Sequence, residues 1–175
     1  LDDLTIDYEV PESKAEAPRI TSGKILSSLS KNNPFLVGGC ADLSSSTKAY
    51  LEEAGDFSFQ NPLGRNIFYG VREHAMGAIS NGLALSGLHP FASTFLTFSD
   101  YLKPAIRMSS LMNLGVTYIF THDSLSIGED GPTHQPVEQL IALRSIPNLT
   151  VFRPCDANEI IGTYKYIMTN PTGPT

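Results

Sequence analysis

Thr121 to Pro136 holds two histidines, two aspartates and a glutamate within sixteen residues, interleaved with Gly and Pro. A loop that long inside a compact domain is uncommon unless it serves a function. His122, Asp123, Glu129, Asp130 and His134 offer bases, acids and hydrogen-bond partners for polar substrates. They could also ligate a metal for a hydrolase, although their spacing fits no strict ligand pattern. Two further clusters follow short apolar runs: Gly38-Gly39-Cys40-Ala41-Asp42 and Gly70-Val71-Arg72-Glu73-His74. Three of the four histidines fall in these places. No GxGxxG, GxxxxGK[ST] or GxSxG string occurs, so a nicotinamide-binding fingerprint, a P-loop and a nucleophile elbow are all missing.

Elements must bring these clusters together. Ile20, Ile25, Leu26 and Leu29 predict a helix with one apolar stripe, ending before Lys31-Asn32-Asn33-Pro34. Phe35-Leu36-Val37 reads as a buried strand stopped by Gly38-Gly39. Ser44 to Leu51 opens another helix, and Ile67-Phe68-Tyr69 is a second strand. Glu73 to Leu85 is a helix in which Gly77 and Gly82 each cost about 1 kcal/mol against Ala; their small size suits close packing by a neighbour. Pro90 to Thr94 is a third strand. Phe98 to Met112 is a helix broken or restarted at Pro104. Val116 to Phe120, β-branched and aromatic, is the clearest strand. After the long loop come a helix from Val137 to Leu143, a strand at Leu149-Thr150-Val151-Phe152, and a helix from Asp156 to Ile167 capped by Asp156.

Apolar strands alternating with helices predict a parallel sheet covered on both faces. Ligands of such sheets bind beyond the carboxyl ends of the strands, where the three clusters lie. The chain has 175 residues, 41% hydrophobic and 17% charged, which suits one domain with a real core. A net charge of −6 without basic runs argues against nucleic acid and anionic membrane as partners. No apolar stretch approaches a membrane span. Cys40 and Cys155 form no CxxC pair and read as free thiols of a reducing cytoplasm. Leu1 to Ala17, acidic and without periodicity, reads as a linker arriving from an upstream domain. Residues 18–175 form the domain, and the turn-like Asn170 to Thr175 stops where another strand is expected, so truncation there is expected too.

Several strings together resemble transketolase, in the family's order and spacing. They are Gly70-Val71-Arg72-Glu73-His74; Thr94-Phe95-Leu96 with Phe98 and Tyr101; Thr121-His122-Asp123-Ser124; Gly128-Glu129-Asp130-Gly131-Pro132-Thr133-His134-Gln135-Pro136; and Arg153-Pro154. The resemblance runs from about Arg19 to the end. It implies the pyrimidine-binding domain of a thiamine diphosphate enzyme: a three-layer αβα sandwich with a mostly parallel sheet. It also implies a reaction of pentose phosphate metabolism, the transfer of a two-carbon ketol unit from a ketose phosphate to an aldose phosphate.

The resemblance carries roles to matching positions. Glu73 would exchange a proton with N1′ of the cofactor's aminopyrimidine; local pattern alone reads it as an acid in a first helical turn. Phe95, Phe98 and Tyr101 would surround that ring; otherwise they are a core stripe at helical spacing. Asp42, His122, Asp130 and His134 would lie near the thiazolium and the sugar hydroxyls, with His122 and His134 taking part in catalysis. Arg19, Ser46 and His122 would meet the sugar phosphate. The diphosphate and its Mg²⁺ or Ca²⁺ would sit on an N-terminal domain that this chain lacks, supplied by the other subunit of a homodimer, and this chain alone would be inactive. A 1-deoxyxylulose-5-phosphate synthase-like domain and a non-catalytic regulatory or assembly subunit are the alternatives.

Overall fold

Pro18 starts α1 (Pro18–Asn32), where a fixed φ is pre-organised and the missing N–H is no loss. The structure is a computed structural model and describes residues 6–10 and 15–175. The rest of the expected linker, residues 1–5 and 11–14, lies outside the described residues. Ile6 and Tyr8 pack against the domain, and the Asp7 amide donates to Ser28 Oγ at 2.9 Å. That part of the linker is therefore docked.

β1 (Leu36–Cys40) does not stop at Gly38-Gly39 as expected but runs through both, buried along its whole length. A Cβ on Gly38 would run into the Phe91 carbonyl, and one on Gly39 into that of Ile67. The glycines let β1 lie between two close neighbours. α2 (Ser44–Thr47) is a single turn and ends short of Leu51, because Lys48 takes a left-handed φ of 60°.

β2 (Asn66–Phe68), α3 (Glu73–Leu85) and β3 (His89–Phe95) follow. A 3₁₀ turn at Leu96–Phe98 leads into α4 (Ser99–Leu111). Pro104 does not break α4; it lies on the exposed side, where solvent can take up the bond its missing N–H leaves out. β4 (Thr117–Thr121), a 3₁₀ segment over Leu125–Asp130, α5 (Gln139–Arg144) and α6 (Ala157–Thr169) complete the chain. Asp156 caps α6 by accepting from the Glu159 amide at 2.9 Å, and the Glu159 carboxylate in turn accepts from the Cys155 amide at 2.8 Å. Among the described residues no helix is long and apolar enough to cross a membrane.

The four strands form one parallel sheet in the order β2-β1-β3-β4. Helices cover both faces. Met76, Leu102, Ile106 and Leu143 of α3, α4 and α5 make one core layer, and Ile25, Leu26, Ile160 and Tyr164 of α1 and α6 make the other. This is the expected three-layer αβα sandwich.

Leu149–Phe152 is not a strand, contrary to the sequence expectation. It keeps strand-like alternation: Leu149 and Val151 pack on the α3–α4–α5 layer, while Phe152 lies against Tyr166 of α6 at 5.1 Å between ring centroids. What it lacks is a neighbouring strand, since one ladder-like bond, from the Thr150 amide to the Pro174 carbonyl, joins it to other backbone.

Candidate functional site

Parallel order brings every strand's carboxyl end to one edge of the sheet, and the candidate residues follow it there. Gly70, with φ 67°, turns the chain out of β2 toward α3. Glu73 is the first residue of α3 and is only 8% exposed. A buried carboxyl needs partners. Among the described residues its side chain has one, Thr94 Oγ1, which donates to Oε1 at the long distance of 3.4 Å. Gly77, one turn further along α3, lets that helix press against Leu102 and Ala105 of α4.

Thr94 is followed by Phe95, the last residue of β3, and an aromatic cluster begins there. Phe95 stacks on Phe98 with centroids 5.8 Å apart and planes 13° from parallel, and Phe98 lies 6.3 Å from Tyr101. The 3₁₀ turn after β3 brings Phe98 back beside Phe95. These rings are not a core stripe: Phe98 is half-buried and Tyr101 is 65% exposed.

Two histidines close on the same rings. His122 lies over Phe95 at 3.7 Å, and His134 meets Phe95 at 6.0 Å and Phe98 edge-on at 5.2 Å. His122 adopts a left-handed φ of 54° just past β4, which swings its ring over β3. Each imidazole Nδ1 is engaged by the preceding threonine, Thr121 Oγ1 at 2.9 Å and Thr133 Oγ1 at 2.8 Å. Among the described residues the two Nε2 atoms have no hydrogen-bond partner. Burial, followed by the charge of Arg19, holds the His122 imidazole below its ordinary value of 6.5, against the opposing pull of Asp130 and Asp123.

Arg19, His122 and Asp130 line a cavity of about 570 Å³ between β4, α6 and the run 149–154. His122 thus belongs both to this cavity and to the aromatic cluster. Asp42, exposed with φ 62°, and Ser46, half-buried in α2, stand beyond the end of β1. Among the described residues neither side chain hydrogen-bonds to the cluster. The loop's carboxylates and imidazoles do not converge as metal ligands: among the described residues no three of His, Cys, Asp and Glu are grouped to hold an ion.

Sequence reasoning gave no role to Thr94, Thr121 or Thr133, the hydroxyls that orient Glu73, His122 and His134. For Thr121 and Thr133, adjacency to His122 and His134 was the available signal. It also missed the pair of Arg153 and Asp123, whose Nη2 and Oδ2 are 3.0 Å apart and which ties the cavity rim to the loop after β4.

Comparison with known proteins adds the following. A family model described as transketolase, pyrimidine binding domain, matches residues 17–175. A transketolase of Bacillus subtilis is 51% identical over 173 residues, 97% of this chain and 26% of the relative. The chain therefore spans about a quarter of the length of that curated relative. A transketolase from Pichia stipitis, solved in complex with sedoheptulose 7-phosphate, superposes with a TM-score of 0.90 at 40% identity, covering 95% of this chain and 26% of that one. A structure described as a split-gene transketolase, an inactive β4 tetramer, gives a TM-score of 0.72 at 33% identity, covering 92% of this chain and 50% of the other. These names favour transketolase over the deoxyxylulose phosphate synthase alternative.

Proposed function

We propose that this chain, which belongs to the transketolase pyrimidine-binding domain family, forms the pyrimidine side of a thiamine diphosphate site and one wall of a sugar-phosphate site in a ketol-transferring enzyme. The observation that carries this reading is the meeting of Phe95, Phe98, His122 and His134 one residue along from Thr94, which bonds buried Glu73.

The residues fit the cofactor. A flat heteroaromatic ring needs aromatic surface, and Phe98 and Tyr101 leave theirs accessible. A ring nitrogen needs a buried acid, and Glu73, with its single long bond from Thr94, keeps the capacity for another partner. When bound, thiamine diphosphate would supply the carbon nucleophile and the electron sink. Glu73 would hold or release a proton at N1′ of the aminopyrimidine. Phe95, Phe98 and Tyr101 would orient that ring.

His122, neutral at pH 7 because burial and Arg19 disfavour its charge, can accept or donate a proton at a sugar hydroxyl. His134 and Asp130 would bond further hydroxyls and so select hydroxylated substrates. Arg19, with Ser46 and His122, would meet the phosphate of a ketose or aldose phosphate. Asp42 would face the thiazolium side.

The diphosphate and its Mg²⁺ or Ca²⁺ are assigned to an N-terminal domain contributed by the other subunit of a homodimer, working in the cytoplasm. The complex of the Pichia relative with a sugar phosphate supports the substrate class. The inactivity of the split-gene tetramer supports the reading that this chain does not turn over alone.

The test is complementation. The purified chain is assayed for ketol transfer alone, then with thiamine diphosphate, Mg²⁺ and a matching N-terminal transketolase domain. Activity in the mixture only, abolished by Glu73→Ala, supports the reading. Turnover by the chain alone would refute its dependence on a second domain. Turnover that survives Glu73→Ala would remove Glu73 from the chemistry.

A further inference from the structure

A histidine that takes a proton at Nε2 has its Nδ1–H held by a carboxylate or a backbone carbonyl, which fixes the tautomer. His122 has neither. Asp123, next to it in sequence, is engaged elsewhere: its Oδ2 accepts from Arg153 Nε at 3.3 Å and from Nη2 at 3.0 Å. The His122 Nδ1 meets Thr121 Oγ1 instead, at 2.9 Å. The ring plane is set by Phe95, 3.7 Å away, and by the left-handed backbone of His122. What remains to be decided is where the ring proton sits.

A hydroxyl has one proton to give and two lone pairs to offer. Thr121 is buried, and among the described residues its Oγ1 has no other hydrogen-bond partner. If Nδ1 carried the proton, the Thr121 O–H would lack an acceptor in a place largely closed to water, and an orphaned donor is costly. If the hydroxyl donates, only lone pairs are left over, a smaller loss. The ring is neutral near pH 7, since burial and then the Arg19 charge hold it below 6.5. It therefore carries a single N–H, with two places to put it.

We propose that Thr121 is a positioning residue: it donates its hydroxyl proton to Nδ1 of His122, so that the ring proton stands on Nε2 and His122 serves as a hydrogen-bond donor. Of the two roles open to His122 at a substrate oxygen, this selects donation. Beside Arg19, which lines the same cavity, such a donor suits a phosphate oxygen or a hydroxyl lone pair of the sugar. That consequence rests on the ketol-transfer reading; the tautomer does not. Thr133 repeats the pairing 2.8 Å from Nδ1 of His134, but it is exposed. Water can take its hydroxyl proton there, so Thr133 does not impose a tautomer in the same way.

NMR tests this on the 175-residue chain alone, without cofactor or substrate. A two-bond ¹H–¹⁵N correlation at about pH 8, where a histidine ring is neutral, reads each ring nitrogen directly. A pyridine-like Nδ1 and a pyrrole-like Nε2 are expected at His122. A pyrrole-like Nδ1 overturns the proposal, whatever any variant does. Free imidazoles have a tautomer preference of their own, so Thr121→Val measures what the hydroxyl adds. In that variant the ratio of Nε2–H to Nδ1–H forms should fall by roughly fivefold, the effect of one net hydrogen bond. Thr121→Ser, which keeps the hydroxyl, should restore the signature. An unchanged ratio in folded Thr121→Val, or a loss of the same size in Thr121→Ser, removes the hydroxyl from the account. So does an equal change at His122 in the control variant Thr133→Val. If Thr121→Val does not fold, the unaltered chain and Thr121→Ser still decide, because both must show the pyridine-like Nδ1. A chain that shows this tautomer but fails in complementation keeps the role of Thr121 and loses the ketol-transfer reading. A chain that complements but has a pyrrole-like Nδ1 does the reverse.

Discussion

At the scale of single residues, the proposed chemistry turns on groups whose neighbours decide their state. His122 faces Arg19 and His134, which oppose its charge, and Asp130 and Asp123, which favour it; burial outweighs them all. Its folded value therefore lies below 6.5, so the neutral ring is the form the fold prefers. The stability this contributes is present above the unfolded value and is lost as pH falls through the lower folded one. A proton NMR titration of the His122 ring should give a midpoint below 6.5, and Arg19→Ala should move it upward. A midpoint at or above 6.5 would contradict this account. Thr94→Val keeps the shape of a fully buried side chain but removes the donor to Glu73; a loss of about 1 kcal/mol is expected in urea unfolding. The aromatic cluster was legible as types and spacing, because Phe95, Phe98 and Tyr101 recur at helical intervals. That Phe98 lies in a 3₁₀ turn and folds back onto Phe95 was not, since this depends on how β3 ends beside β4.

At the scale of elements, two glycines of α3 make opposite predictions. A Cβ on Gly77 would come within 2.6 Å of Leu102 Cδ1 and 2.7 Å of the Ala105 Cβ, so Gly77→Ala should destabilise by about 1–3 kcal/mol despite the better helix propensity of Ala. A Cβ on Gly82 meets nothing within 4 Å, so Gly82→Ala should stabilise the chain by about 1 kcal/mol. Equilibrium unfolding of both variants checks the signs together. α3 itself was fully legible, with the bounds its residues predicted. So was the Asp156 cap of α6, because capping is local chemistry. The strands were less so. Gly38 and Gly39 looked like a stop because propensity cannot register that two neighbouring carbonyls come so close. Leu149–Phe152 looked like a strand because its residue types favour one, but pairing is supplied by another segment.

At the scale of the whole molecule, the order β2-β1-β3-β4 puts β1 and β3 in the middle, and β1 and most of β3 are buried. The amides of Val37 to Cys40 and of Ala92 to Thr94 should exchange slowest, ahead of those in β2 and β4. Exchange led by either edge strand would contradict the sheet order. Alternation of apolar runs made the parallel sandwich legible, while strand order came from tertiary packing that no local pattern encodes. Cys40 sits at the heart of this arrangement. It is 3% exposed, bonded to Thr47 Oγ1 and the Ala49 carbonyl, and its thiol is pushed up by burial. Cys155 stands in the open at the start of α6. A thiol reagent added to the native chain should therefore modify one sulfur promptly and the other only when the centre of the sheet parts. The lag between the two modifications is a clock that reads how often the fold opens.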